Sequence, residues 1–207
     1  MLCRFAALLL VVCSTAVAAA QQPLQEIPID APPGWRKERF PLPPSFARDM
    51  TLKGAEELRF SPGVFQPKSE TFFSYVIVFR LQDKPTLDEK TLTRELLVYF
   101  RGLAKAVGRG QVKTDGIALK VAKIDKPARK NAREFLATLE WVEPFATKQP
   151  QALRIEIDAW NAPKSAHTWV FLCVSPKEPK TDVWKQLHAI RDGFFKQNSP
   201  DAPASND

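Results

Sequence analysis

The segment 71–81 (TFFSYVIVFRL) limits what this chain can fold into more than any other stretch. Read as a strand, it places Phe73, Tyr75, Ile77 and Phe79 on one face, while Val76 and Val78 make the opposite face apolar too. A strand that is apolar on both faces needs cover on both sides. It belongs in the middle of a sheet, with other structure packed above and below.

The remaining pattern supplies the neighbours. Residues 56–60 read as a short strand closed by the turn Ser61-Pro62-Gly63. In residues 87–107, Leu92, Leu96, Phe100, Leu103 and Val107 recur at helical intervals and form one buried stripe. Thr86 and Glu89 have capping-box spacing, and Gly108 suits a helix end. Four strands are predicted next, over 117–124, 133–142, 153–160 and 168–175; their short turn-rich links favour antiparallel hairpins. A last amphipathic helix, 182–196, carries Val183, Leu187, Ile190 and Phe194, with Thr181 or Asp182 as its cap. The order β-β-α-β-β-β-β-α predicts an α+β domain: a single antiparallel sheet of about six strands with two main helices. Hydrophobic content of 44% and charged content of 26% are ordinary for a globular chain, and 14 Phe and 5 Trp supply core material. One domain is expected, over residues 34–198.

The chain ends carry a different message. Arg4, an apolar run from Phe5 to Val12 and the small residues Ala18-Ala19-Ala20 have the layout of a secretory signal peptide over residues 1–20. The run is too short for a permanent membrane span. A secreted or periplasmic protein beginning at Gln21 is expected, with no transmembrane segment after cleavage. Lipidation at Cys13 is the alternative, although Val12 precedes it where such signals prefer a small residue. Residues 21–50 are rich in proline. A tether is expected over 21–33, followed by irregular segments held down by Trp35, Phe40 and Phe46. The tail, 199–207, reads as disordered. Cleavage removes Cys3 and Cys13 and leaves Cys173 alone, so no intramolecular disulfide can form. That fits a bacterial envelope. The net charge of +7 permits an anionic partner without demanding one.

The order of elements, together with the tripeptide Pro33-Gly34-Trp35 near the mature start, resembles the PsbP-like fold of lumenal photosystem accessory proteins and related exported bacterial proteins. The resemblance covers the coarse order of most of the domain. It departs in the long Pro-rich stretch from Phe40 to Met50. It implies a non-catalytic, protein-binding accessory role and carries over no functional residue.

Three constellations are candidates for chemistry. In the hairpin from Arg133 to Trp160, with its turn near 145–150, keeping the apolar sets together puts Glu140 near Glu156 and Thr138 near Asp158. Like charges opposite one another destabilise a hairpin unless compensated. Glu140, Glu156 and Asp158 are therefore either a cation or acid/base cluster or a solvated face salt-bridged to Arg154 or Lys120. Lys120, Lys123, Lys126, Arg129, Lys130 and Arg133 form a basic hairpin tip, either an anion-binding patch or a solvated loop. Nucleic acid is disfavoured, because no aromatic residues interleave with that cluster. Cys173 reads as a packed thiol, since His167 lies about 20 Å away along an extended strand. Trp160 shares the charged face of its strand and is the expected exposed aromatic.

No nucleophile–base pair, zinc pattern or phosphate loop is present, and no cofactor is expected. The expectation is an exported binding or accessory module of the bacterial envelope, its partner an envelope protein or an anionic surface. The competing expectation is a hydrolase or lyase, carboxylate- or divalent-metal-dependent, using the charged hairpin face.

Overall fold

The computed structural model describes residues 24–163 and 166–199. The expected signal peptide and the tail beyond residue 199 lie outside the described residues. The strands are β1 (Arg36–Leu42), β2 (Gly54–Phe60), β3 (Tyr75–Leu81), β4 (Ala118–Lys123), β5 (Arg133–Val142), β6 (Pro150–Asn161) and β7 (Thr168–Ser175). The helices are α1 (Glu89–Gly108) and α2 (Asp182–Asn198). The fold is α+β, as expected, with all strands in one antiparallel sheet of order β1-β2-β3-β7-β6-β5-β4.

The first three strands form a meander. Helix α1 then carries the chain to the far edge, and β4 to β7 return so that β7 closes against β3. The strand apolar on both faces is thus an interior strand. Its Tyr75, Ile77 and Phe79 meet α1 in the larger core cluster, and its Val76 and Val78 meet α2 in the smaller one. Each helix therefore covers one face of the sheet. Among the described residues no helix is long and apolar enough to cross a membrane.

The seven strands are close to the expected count of about six. One difference is the added strand, β1, which has charges and a proline where an alternating apolar pattern would mark a strand. It is an edge strand, where Pro41 costs no ladder hydrogen bond toward solvent. A second difference is the expected tether. Ile27 and Ile29 are buried in the α2-side core, and the Arg39 guanidinium donates to the Leu24 carbonyl at 2.9 Å. Residues 24–31 therefore lie on the domain. At α1, Asp88 rather than Thr86 caps the helix, its carboxylate accepting from the Thr91 N–H at 2.7 Å. The left-handed residue at the other end is Arg109, not Gly108.

The mid-helix residue Gly102 has a packing reason. A Cβ there would stand 2.1 Å from the Phe46 carbonyl oxygen. Only glycine lets the loop after β1 lie directly on α1, and that contact brings Phe46 over the sheet.

Candidate functional site

The charged hairpin face is the face covered by α2, and its register differs from expectation. Glu134 lies opposite Asp158, Leu136 opposite Glu156, and Glu140 opposite Ala152. The offset is four residues. Its cause is the turn: the Glu143 carboxylate accepts from the N–H groups of Phe145, Ala146 and Thr147, and the Glu143 N–H reaches the Gln149 carbonyl at 2.9 Å. Pairing therefore resumes already at Pro150. An even offset keeps each side chain on its expected face but breaks up the expected trio. Glu140 is exposed and apart, while Glu134, which the sequence reading passed over, joins Asp158.

The acids that do meet are answered by cations. Arg129, from the hairpin tip, turns inward and reaches Glu134 at 3.4 Å and Asp158 at 3.5 Å, and also pairs with Asp192. Glu156 receives Arg154 at 3.0 Å, Arg191 at 3.0 Å and His188 at 2.8 Å. Burial alone would push Glu156 up, but His188 and Arg154 hold it below the usual carboxylate range. Asp158 is less well served. Arg129 and Arg191 stand within ion-pair reach, yet its Oδ2 accepts no hydrogen bond, and burial pushes it up to about 6. A cavity of about 210 Å³ adjoins these groups. No group of three or more side chains placed to hold a metal ion occurs among the described residues.

Two further expectations are corrected here. The basic tip does not project as a unit. Lys120, Lys123, Lys126 and Lys130 are exposed, but Arg129 is folded onto the acids and Arg133 donates to the Leu87 carbonyl at 3.0 Å. Lys120 and Lys123, three residues apart on β4, also point to opposite faces. Trp160 is 1% exposed, not an open aromatic. Its Nε1–H donates to the Asn198 carbonyl at 2.9 Å and its ring meets Phe195 at 5.0 Å. Cys173 is fully buried under α2, where burial pushes its thiol well up, which makes it a poor nucleophile.

The larger concavity lies on the other face. A cavity of about 370 Å³ opens between α1 and the β1–β2 edge. Its floor is Glu38 and Phe40 of β1, Leu58 and Phe60 of β2, and Tyr75 of β3. Tyr99, Leu103 and Val107 of α1 and Phe46 of the loop below Gly102 form the roof. Val64, Phe65, Phe73 and Phe145 close one end.

The loops that supply those end walls are held by polar groups of their own. The Phe73 N–H donates to the Val64 carbonyl at 2.8 Å, and Phe73 adopts a left-handed φ of 53° that only a well-braced loop sustains in a bulky residue. Ser61 and Ser74 lock the same loop, Ser61 Oγ donating to the Ser74 carbonyl at 2.7 Å. Glu143, fully buried, organises the turn that carries Phe145. Phe145 in turn stacks on Phe65 at 5.1 Å. Phe65 is 37% exposed and stands at the mouth, with the Arg36 guanidinium over its ring at 5.6 Å.

Beside this cavity is an unusual carboxyl. Glu56 shares the α1-facing side of β2 with Leu58 and Phe60, and pairs across strands with Phe40 and Phe79. It is 0% exposed, no ion pair reaches it among the described residues, and the Tyr99 phenol is the polar group that acts on it. Burial pushes it up to about 8; the Tyr99 phenol pulls the other way, and Glu38 adds to the rise. Tyr75 and Tyr99, both in the cavity wall, are raised by burial and by the field of Glu56. Nearby, Glu95 is equally buried but satisfied by the Thr51 N–H at 2.8 Å, the Thr51 hydroxyl at 2.9 Å and the Leu52 N–H at 3.2 Å.

Sequence reasoning missed this site. Its lining comes from three strands, one helix and three loops, and no single segment carries a pattern that announces a cavity. The one available signal was Glu56, an acid in a short strand otherwise destined for the core. Compared with protein-family models, with curated proteins and with solved structures, the chain gives no match.

Proposed function

We propose that this protein is an exported, non-catalytic binding module of the bacterial envelope, and that it takes a small apolar ligand into the cavity between α1 and the β1–β2 edge. The observation that carries the reading is the cavity itself. About 370 Å³ lies within the range of small-molecule sites, and aromatic and aliphatic side chains dominate its walls. Export rests on the character of residues 1–20. The accessory role agrees with the PsbP-like resemblance and adds no residue to it.

The test is binding of Nile red, a neutral dye whose emission rises in apolar surroundings. The protein is expected to bind it with one site, and Leu103→Trp, which fills the space from the roof, is expected to abolish binding without lowering the melting temperature. Equal dye binding by the filled variant would overturn the assignment.

The acid–base alternative has one supporting observation, Asp158 pushed up to about 6 beside the smaller cavity. It ranks second because Arg129, Arg154 and Arg191 already engage the acids there.

A further inference from the structure

The charges around the larger cavity are one-sided. Among the residues lining it, Glu38 is the one that carries a charge, and it lies exposed on the edge strand. Beside the floor, on the same α1-facing side of β2, sits Glu56, wholly buried, outside the lining itself and with the Tyr99 phenol as its polar neighbour. Two phenols of the cavity wall, Tyr75 and Tyr99, feel the field of Glu56 and so couple it to the cavity. Arg36 lies over the outer ring Phe65, and no Lys or Arg is among the lining residues.

A buried acid without a cation is costly. A hydrophobic body alone would leave Glu56 as it is. An anionic head would meet Glu38 at the rim and the field of Glu56 beside the floor. A cationic head would meet Glu38, that same field and the faces of several aromatic rings, the surroundings that recognise alkylammonium groups. Resting on the apolar-ligand reading above, we propose that the ligand is a cationic amphiphile: an alkyl or aryl body bearing an ammonium group.

Glu56 is the positioning acid for the head and Glu38 the steering acid at the mouth. Burial keeps Glu56 largely protonated near neutrality while the cavity is empty. An arriving ammonium draws its proton off, so binding releases a proton.

The test is calorimetric titration of the protein at pH 7 with octyltrimethylammonium, octanol and octanoate, three probes with one tail and different heads. The ammonium is expected to bind at least tenfold more tightly than octanol, and octanoate more weakly than octanol. Glu56→Gln is expected to reduce the ammonium's advantage to threefold or less while leaving octanol affinity unchanged. Glu38→Gln, at an exposed position that tolerates change, is expected to remove a smaller part of that advantage. Proton release, read from the dependence of the heat on buffer ionisation, is expected for the ammonium alone and absent in Glu56→Gln.

Octanoate binding as well as the ammonium would overturn the proposal, as would a Glu56→Gln variant that keeps the full preference. If octanol binds but the heads are not distinguished, the head-group inference fails and the apolar-ligand reading stands. If none of the three binds, both fail.

Discussion

Glu156 and Glu56, on the two faces of the sheet, are buried in opposite ways. Under α2, Glu156 is surrounded by Arg154, His188 and Arg191, and it is held below the usual carboxylate range although burial alone would raise it. Under α1, Glu56 has no cation paired with it among the described residues, and burial pushes it up to about 8. Asp158 falls between them, within ion-pair reach of two guanidiniums but with one oxygen unbonded, and it rests at about 6. Burial presses all three toward the neutral form, and the partners decide how far they go. The α2 face spends its polar groups on one another, so the smaller cavity there is walled by paired charges. The α1 face keeps an unanswered acid beside open space.

The widest break between the faces should come from pH. Glu56 binds a proton more tightly in the folded state than its ordinary value of 4.5 allows unfolded, so its contribution is fully present below that value and is lost as pH rises toward about 8. Over that window the loss is up to roughly 5 kcal/mol, and Glu56→Gln should flatten it in urea unfolding followed against pH. Glu156 has the opposite sign: its stabilisation is present above the ordinary carboxylate value and disappears as pH falls through its lowered one. Glu156→Gln should therefore remove an acid-side loss and leave the alkaline side alone. Equal slopes in the two variants would show that the faces do not differ in this respect.

Removing the shared cation comes next. Arg191 serves Glu156 at 3.0 Å and Asp158 at 3.4 Å, so Arg191→Met should cost about 3–5 kcal/mol by leaving both acids buried and under-compensated. A loss below about 1 kcal/mol in chemical denaturation would mean that Arg129 and His188 already suffice. Gly102→Ala should cost about 1–3 kcal/mol despite the better helix propensity of alanine, because the Phe46 carbonyl has to move away. The same variant should weaken Nile red binding, since Phe46 roofs the cavity. A gain in melting temperature with unchanged dye binding would remove Gly102 from the account. The smallest effect is expected at Asp88→Ala, about 1 kcal/mol from the lost cap of α1, with no change in ligand affinity.

Much of the framework was readable in advance because it rests on local periodicity. The limits of β5 and β7 match the alternation of their residues, and the apolar stripe Val183, Leu187, Ile190 and Phe194 is the buried face of α2. Other features rest on what happens between segments. Strand β1 has no apolar alternation of its own and exists because β2 offers an edge. The hairpin register hangs on Glu143, whose carboxylate gathers the N–H groups of the turn; a one-letter glutamate does not reveal that. The charged strand face of Trp160 reads as outward, but α2 covers that face.

The sequence by itself determined the type and order of every element but β1, and the strand that has to lie inside, because hydrophobic spacing of two or of 3.6 residues is a property of neighbouring positions. Only the tertiary structure decided which acids meet which cations, which face stays open, and that Phe40, Phe73, Tyr99 and Phe145 enclose one space. Those outcomes depend on contacts between residues far apart in the chain, where packing geometry and local dielectric, not the identity of the next residue, set the energy.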